Sequence, residues 1–266
     1  MKILVTVKEV AEAADDFELP DGALDIDERY LEYDLNEWDE YGVEEGVQIA
    51  EENEDTEVVS VTIGPERSEE TIRMALAKGV DRAIRIWDDA LEDVAFLDVE
   101  ARARILAAVV AEEDPDLVLT GVQANDDGFG ATGIALADRI DFEWAAVVNH
   151  LDLDVEGGLA HVHRELEGGV EELTDVELPA VLSIQTGINE PRYASLRGIR
   201  QAQSKEIVPY ELADLDLDAD VTDSPLSLTS MYEPETESSA TVFEGSPEEE
   251  ADQLGELLGE MGVVEG

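Results

Sequence analysis

Of the 266 residues, 68 are Asp or Glu and 16 are Lys or Arg, a formal charge of -52 at pH 7, while 44% are apolar. A charge of that sign and size repels phosphate backbones and anionic lipid heads, which excludes nucleic-acid binding and membrane-surface binding, and the apolar share is that of a folded protein. The chain has no cysteine, so disulfides, thiol catalysis, thiolate-bound zinc and iron–sulfur ligation are excluded too.

Short runs rich in Val and Ile open the chain at Ile3 to Val7 and recur at Val58 to Ile63, Ala83 to Trp87 and Leu117 to Thr120. Between them lie helical patterns. Asn36 to Ala50 carries Trp38, Tyr41, Val47 and Ile49 among acids; Ser68 opens a second helix, with Glu69 and Glu70 in its first turn and Gly79 closing it. Glu100 to Ala111 and Ala131 to Ile140 are the third and fourth. Strands separated by helices of this length predict a parallel sheet, so residues 1 to about 145 are expected to be α/β. The period then changes: Val147 to Leu153, Leu159 to Glu165 and Val170 to Leu178 alternate and are broken by Gly157-Gly158 and Gly168-Gly169, the pattern of hairpins. Val181 to Gln185, after Pro179, is expected to return to the main sheet.

From Glu206 to Gly266 there are acids and no base, and the stretch to Gly245 lacks periodicity. The expected domains are therefore 1–205, an α/β domain with a hairpin region at about 146–178, and 206–266, an acidic extended arm. The arm ends in a helix: Ser246 and Pro247 suit its cap and first turn, and Ala251, Leu254, Leu257, Leu258 and Met261 form one apolar stripe. The N-terminus turns polar too soon for a signal peptide, and no run approaches the length of a membrane span. A soluble cytoplasmic protein is expected. Acids spread along the whole chain, with only Lys2, Lys8, Lys78 and Lys205 as lysines, read as adaptation to molar salt, where the Debye length is about 3 Å.

The loop after the fourth strand holds the clearest binding chemistry. Asp116 to Gly121 ends that strand, and Val122 to Gly130 leads through Gln123, Ala124, Asn125, Asp126, Asp127, Gly128 and Gly130 into the helix from Ala131. Glycines at the C-terminal end of a parallel strand, followed by free amides at a helix start, suit a nucleotide phosphate. Gly128 to Gly133 also spells the dinucleotide fingerprint, but it follows the wrong strand and lacks the tight turn. Asp126 and Asp127 could ligate magnesium or cap their own loop. His161 and His163 share a strand face with Glu165, a metal spacing without a convincing third ligand. No serine elbow and no assignable carboxylate pair stands in the chain, so no catalytic residue is named.

Taken together, Lys2 to Lys8 (KILVTVK), Tyr33 to Glu45 (YDLNEWDEYGVEE), Val59 to Pro65, Ala75 to Ala83 (ALAKGVDRA), Asp116 to Gly133, Arg164 to Gly169 (RELEGG) and Leu178 to Leu196 (LPAVLSIQTGINEPRYASL) resemble, in this order, the β subunit of electron transfer flavoprotein over roughly residues 1 to 205. The resemblance implies a doubly wound, mainly parallel sheet of the adenine-nucleotide-hydrolase-like kind. It implies a heterodimer whose α subunit holds most of the FAD, with AMP or a second FAD in this subunit. The nucleotide positions it implies match Thr6, Asn36, Glu37, Trp38, Asp39, Ile63 and the loop from Gly121 through Gln123, Ala124, Asp126, Asp127, Gly128, Gly130, Ala131 and Thr132 to Gly133. Leu196 matches a recognition-loop leucine that docks acyl-CoA-dehydrogenase-type donors; Tyr193 lies beside it, and Glu165 matches a subunit-contact position. A quinone oxidoreductase is the implied electron acceptor. Ala11, Glu12 and Ala13 stand where the family has Pro-Asp and a flavin-directed tyrosine, and Asn36-Glu37-Trp38-Asp39 replaces Asn-Pro-Phe-Cys. With the acidic bias, the likeness points to a halophilic archaeon. The rival class is a stand-alone nucleotide-binding regulator or ATP-pyrophosphatase-like enzyme, which would need a phosphate loop after the first strand.

Overall fold

The computed structural model describes residues 1–92, 94, 96–233 and 240–263. Its elements run in the expected alternation. Strand β1 (Lys2–Thr6) is followed by the antiparallel pair β2 (Glu9–Ala13) and β3 (Leu31–Leu35), then α1 (Glu37–Glu52), β4 (Glu57–Ile63), α2 (Glu69–Lys78), β5 (Arg82–Ile86), the short α3 (Asp89–Glu92), α4 (Val99–Glu113), β6 (Leu117–Gly121) and α5 (Thr132–Ile140). The meander β7 (Glu143–Asp154), β8 (Leu159–Leu166) and β9 (Val170–Glu177) precedes β10 (Ala180–Ile184), α6 (Leu196–Ala202) and β11 (Ile207–Tyr210); α7 (Pro247–Glu260) comes last.

Nine strands form one sheet in the order β11-β5-β4-β1-β6-β10-β7-β8-β9. It is parallel from β11 to β7 and antiparallel through β8 and β9. Alternate side chains of each strand enter opposite layers. Ile3 and Val5 of β1 join Val43 and Val47 of α1 and Ile72 and Leu76 of α2 on one face. Leu4 joins Ile105 and Val109 of α4 and Leu136 of α5 on the other. The chain steps from β1 to β4 and β5, then returns to β6 on β1's other side. That reversal makes the sheet doubly wound.

One expectation is corrected. Residues from 206 onward do not all leave the domain: β11 pairs in parallel with β5, and Leu212, Leu215 and Val221 are buried in the α4 face of the core. The first compact unit therefore runs from Met1 to Met231, and Tyr232 begins a second. The acids of 206–223 hid this because they lie on the outer side of short turns whose few apolar residues point inward. Ser68 does open α2, but its hydroxyl donates to Pro65 O at 2.7 Å instead of capping the helix. In the second unit Ser246 and Glu249 form a reciprocal capping box at the start of α7. Among the described residues no helix is long and apolar enough to cross a membrane.

Candidate functional site: a cavity at the switch point

Where β1 and β6 send the chain to opposite sides, their C-terminal ends part around a cavity of about 390 Å³, the place where open α/β sheets bind ligands. Thr6 from the end of β1 and Ile63 from the end of β4 line it. So do Asn36 and Asp39 at the start of α1, and Gly121, Gln123, Ala124, Asp126, Asp127, Gly130, Ala131 and Thr132 from the loop and first turn of α5. The other four expected binding residues do not reach its wall. Glu37 is exposed, Gly128 turns the loop at φ 62, and Gly133 lies under Thr120. Trp38 donates its indole N–H to Gln185 Oε1 at 3.1 Å, away from the cavity.

Asn36 and Asp39 fasten the crevice. The amides of Lys8 and Gly121 donate to the two carboxylate oxygens of Asp39 at 2.8 and 3.1 Å, so one side chain ties the ends of β1 and β6 together. Burial pushes the Asp39 carboxyl up to about 7, against the opposing pull of the hydrogen bonds from Lys8, Asn36 and Gly121. Asn36 donates to Gln123 O at 2.9 Å and accepts from the Asn125 amide at 3.2 Å, which fixes the loop's entry.

Charge inside the cavity is arranged in pairs. Lys8 reaches both Asp126 and Asp127, the latter at 2.8 Å, and Arg102 of α4 bonds Asp127 at 2.6 Å. Burial would raise the Asp127 carboxyl, but the Lys8 hydrogen bond and the nearby Arg102 outweigh it and hold it low. Asp127 also accepts from the Phe129 amide at 3.1 Å. The paired aspartates thus hold the loop to two neighbouring elements, which is the capping reading extended to cations. Arg67 completes the ring, 3.0 Å from Glu9 with its guanidinium over Tyr33. Sequence reasoning missed Lys8, Arg67, Arg102 and Thr120. Lys8, directly after the first strand, was within reach of the strand-end argument; the two arginines sit on other elements and carry no local signal.

What the wall offers a ligand is specific. Thr120, only 2% exposed, is one of the residues lining the cavity, and its Oγ1, buried against Gly133, has no hydrogen-bond partner. Ala131, the N-cap of α5, supplies no side-chain bond to the first turn, and first-turn amides have no intrahelical acceptor. A buried hydroxyl left without an acceptor is costly, and amides at a helix start favour an anion. The residues present therefore fit a phosphate-bearing group. Two glycines bring the parts together: a Cβ on Gly133 would stand 2.4 Å from Thr120 Oγ1, and one on Gly121 would stand 2.6 Å from Asp39 Oδ1.

Away from the cavity, Tyr193 is 98% and Leu196 79% exposed, so Leu196 does not pack at the start of its helix. Glu165 is exposed on β8, with Gln185 Nε2 3.5 Å from its carboxylate. His161 bonds Asp175 at 2.6 Å, and the rings of His163 and His150 lie 4.6 Å apart, tilted by 47°; among the described residues no three acids or histidines are placed to hold a metal.

Comparison with known proteins settles the family. A model of the electron transfer flavoprotein domain matches residues 23–215. The chain is 44% identical to the electron transfer flavoprotein subunit beta of Methylophilus methylotrophus, over 98% of this chain and 99% of that one. The chain belongs to the electron transfer flavoprotein β-subunit family. It is also 31% identical to the Bacillus subtilis subunit beta over 97% of both chains, and 35% identical to that of Sus scrofa over 88% of this chain and 89% of that one. Electron transfer, not bond-making catalysis, is the function membership carries. The stand-alone enzyme reading loses its ground on geometry as well. In this β subunit the segment after β1 is Val7-Lys8 running straight into β2, with no phosphate loop.

Proposed function

We propose that this β subunit buries an adenine nucleotide, AMP or a second FAD, in the switch-point cavity and assembles with an α subunit that holds the shared FAD. The uncapped start of α5, with Ala131 and Thr132 in the cavity wall, carries the reading. The amides at the start of α5 take phosphate oxygens, while Asn36 and Asp39 hold the loop over them. FAD, when bound in the complex, supplies the redox chemistry; this chain binds, orients and excludes water. Acyl-CoA-dehydrogenase-type donors dock at Leu196 and Tyr193, Glu165 faces the α subunit, and electrons leave to a quinone oxidoreductase. The acidic surface suits a cytoplasm of molar salt, as in a halophilic archaeon. The test is to purify the αβ complex in molar KCl, count flavins per heterodimer and identify the nucleotide released on heating. One flavin with AMP or two flavins supports the proposal. A complex that releases no adenine nucleotide beyond a single FAD refutes it.

A further inference from the structure

The exposed pair Tyr193 and Leu196 sits on backbone that is held from both sides. On one side Arg192 grips α1. Its Nε and Nη2 take the two oxygens of Glu44 at 2.8 and 3.0 Å, its Nη1 and Nη2 take those of Glu51 at 2.6 and 3.0 Å, and its own amide donates to Glu44 at 3.1 Å. Gln48, one turn along, donates to Glu44 at 2.7 Å and holds that carboxylate in place. Asn189 adds bonds to Tyr41 O and Glu45 at 3.1 and 2.9 Å. On the other side α6 is pinned to α2: Arg73 donates to the carbonyls of Ala202 and Lys205, and Gly198 lies so close that a Cβ there would stand 2.3 Å from Ala77 O.

From this geometry we infer that Arg192 is a positioning residue, whose fork on Glu44 and Glu51 holds Tyr193 to Leu196 in the form that docks the electron donor. An aromatic and an aliphatic side chain left mostly in water invite collapse onto the protein; a held backbone keeps them out and removes the ordering cost from the docking step. The choice of residue fits a highly saline solvent. An exposed ion pair is screened there, whereas the Glu44 side chain is only 5% exposed and its bond to Arg192 is a charge-assisted fork.

The inference rests on the docking reading of Leu196, and one experiment separates the two. Electron transfer to the intact αβ complex is measured with an acyl-CoA dehydrogenase reduced by butyryl-CoA, in molar KCl. The proteins compared are the parent, Arg192→Gln, Arg192→Lys, Glu51→Gln and Leu196→Ala, and amide hydrogen exchange over residues 190–196 is read in each. Arg192→Gln is expected to raise KM for the flavoprotein about tenfold with kcat and flavin content unchanged, and to speed exchange in the loop. Arg192→Lys, which keeps the charge but not the fork, recovers only part. Glu51→Gln, at a largely exposed position that leaves the fold intact, shifts both readouts in the same direction by less. If Leu196→Ala raises KM while Arg192→Gln changes neither KM nor exchange, docking stands and the clamp is refuted. Should Leu196→Ala leave KM unchanged, the docking reading fails and this inference falls with it.

Discussion

The wall of the cavity depends on one close approach, Gly133 of α5 against Thr120 of β6. A methyl added at Gly133 would meet Thr120 Oγ1 at 2.4 Å, its Cβ at 3.3 Å and its Cγ2 at 3.4 Å. Non-bonded heavy atoms settle at about 3.5 Å, so Gly133→Ala must push the start of α5 off β6 by about 1 Å. Overpacking of this kind costs about 1–3 kcal/mol, while Ala for Gly in a helix returns up to about 1 kcal/mol. The single substitution is therefore expected to destabilise by up to about 2 kcal/mol. Thr120→Ala deletes Oγ1 and Cγ2 and leaves only the 3.3 Å contact. In that background the helix-propensity gain should win, and Gly133→Ala should become stabilising. The assay is urea unfolding of the αβ complex in molar KCl for the parent, the two single variants and the double variant, with nucleotide content measured in parallel. Effects of the two substitutions that add within about 0.5 kcal/mol would show that the contact is not felt. Undiminished nucleotide in Gly133→Ala alone would contradict the placing of phosphate at the displaced amides.

Asp39→Asn tests the buried carboxyl. Its folded value near 7 lies above the ordinary 3.8, so the native state holds the extra proton between about pH 4 and 7, and stability at this group is present at low pH and lost as pH rises through that window. A difference of about three pKa steps corresponds to roughly 4 kcal/mol; the variant lacks this loss, so its unfolding free energy should gain on the parent's from about pH 4 to pH 7 and stay level above that, and parallel pH profiles would refute the assignment. Salt provides the other check. Lowering KCl from about 1 M to 0.1 M lengthens the Debye screening from about 3 to 10 Å and should lower the unfolding midpoint, with an uncharged osmolyte failing to compensate; an unchanged midpoint would mean that the -52 charge is not what salt supports.

Much of the sheet could be read in advance because it is built from runs that need no partner to announce themselves. Val58 to Ile63 and Leu117 to Thr120 are rich in Val, Ile and Leu and buried on both faces, as central parallel strands are, and Asn36 and Ser68 stand where helices begin. The β2–β3 pair was missed: β3 alternates as LEYDL, but β2, EVAEA, does not, and the two strands meet across a long connection. Strand β11 was hidden by Pro209, tolerated at an edge where its missing N–H faces no neighbour. At the site, the loop and the strand ends were visible as local sequence. Arg102 on Asp127, Asp39 across two strands and Arg192 on Glu44 were not, because each joins residues far apart in the chain and only the fold brings them within bonding distance.

The placement of many of the sixteen bases would suit the molar-salt solvent proposed above. When screening acts over a few ångströms, a lysine or arginine left on the surface attracts nothing at a distance, and only contact pairs shielded from water keep their strength. Accordingly Lys78 pairs with Glu40 while 8% exposed, and Glu113, 9% exposed, holds both Lys2 and Arg82. Lys8, Arg67 and Arg102 gather at the cavity, and Arg73 and Lys205 bond the carbonyls that seat α6. Lys2, Arg67 and Arg82 satisfy nearly buried carboxylates, and Arg73 and Lys205 satisfy carbonyls at helix ends. Several cations are thus gathered at the crevice and beside α6, while Arg29, Arg139, Arg197 and Arg200 remain exposed. Among the described residues, four bases show no ion pair: Arg73 and Lys205 bond carbonyls instead, while Arg197 and Arg200 are exposed on α6 close behind Leu196.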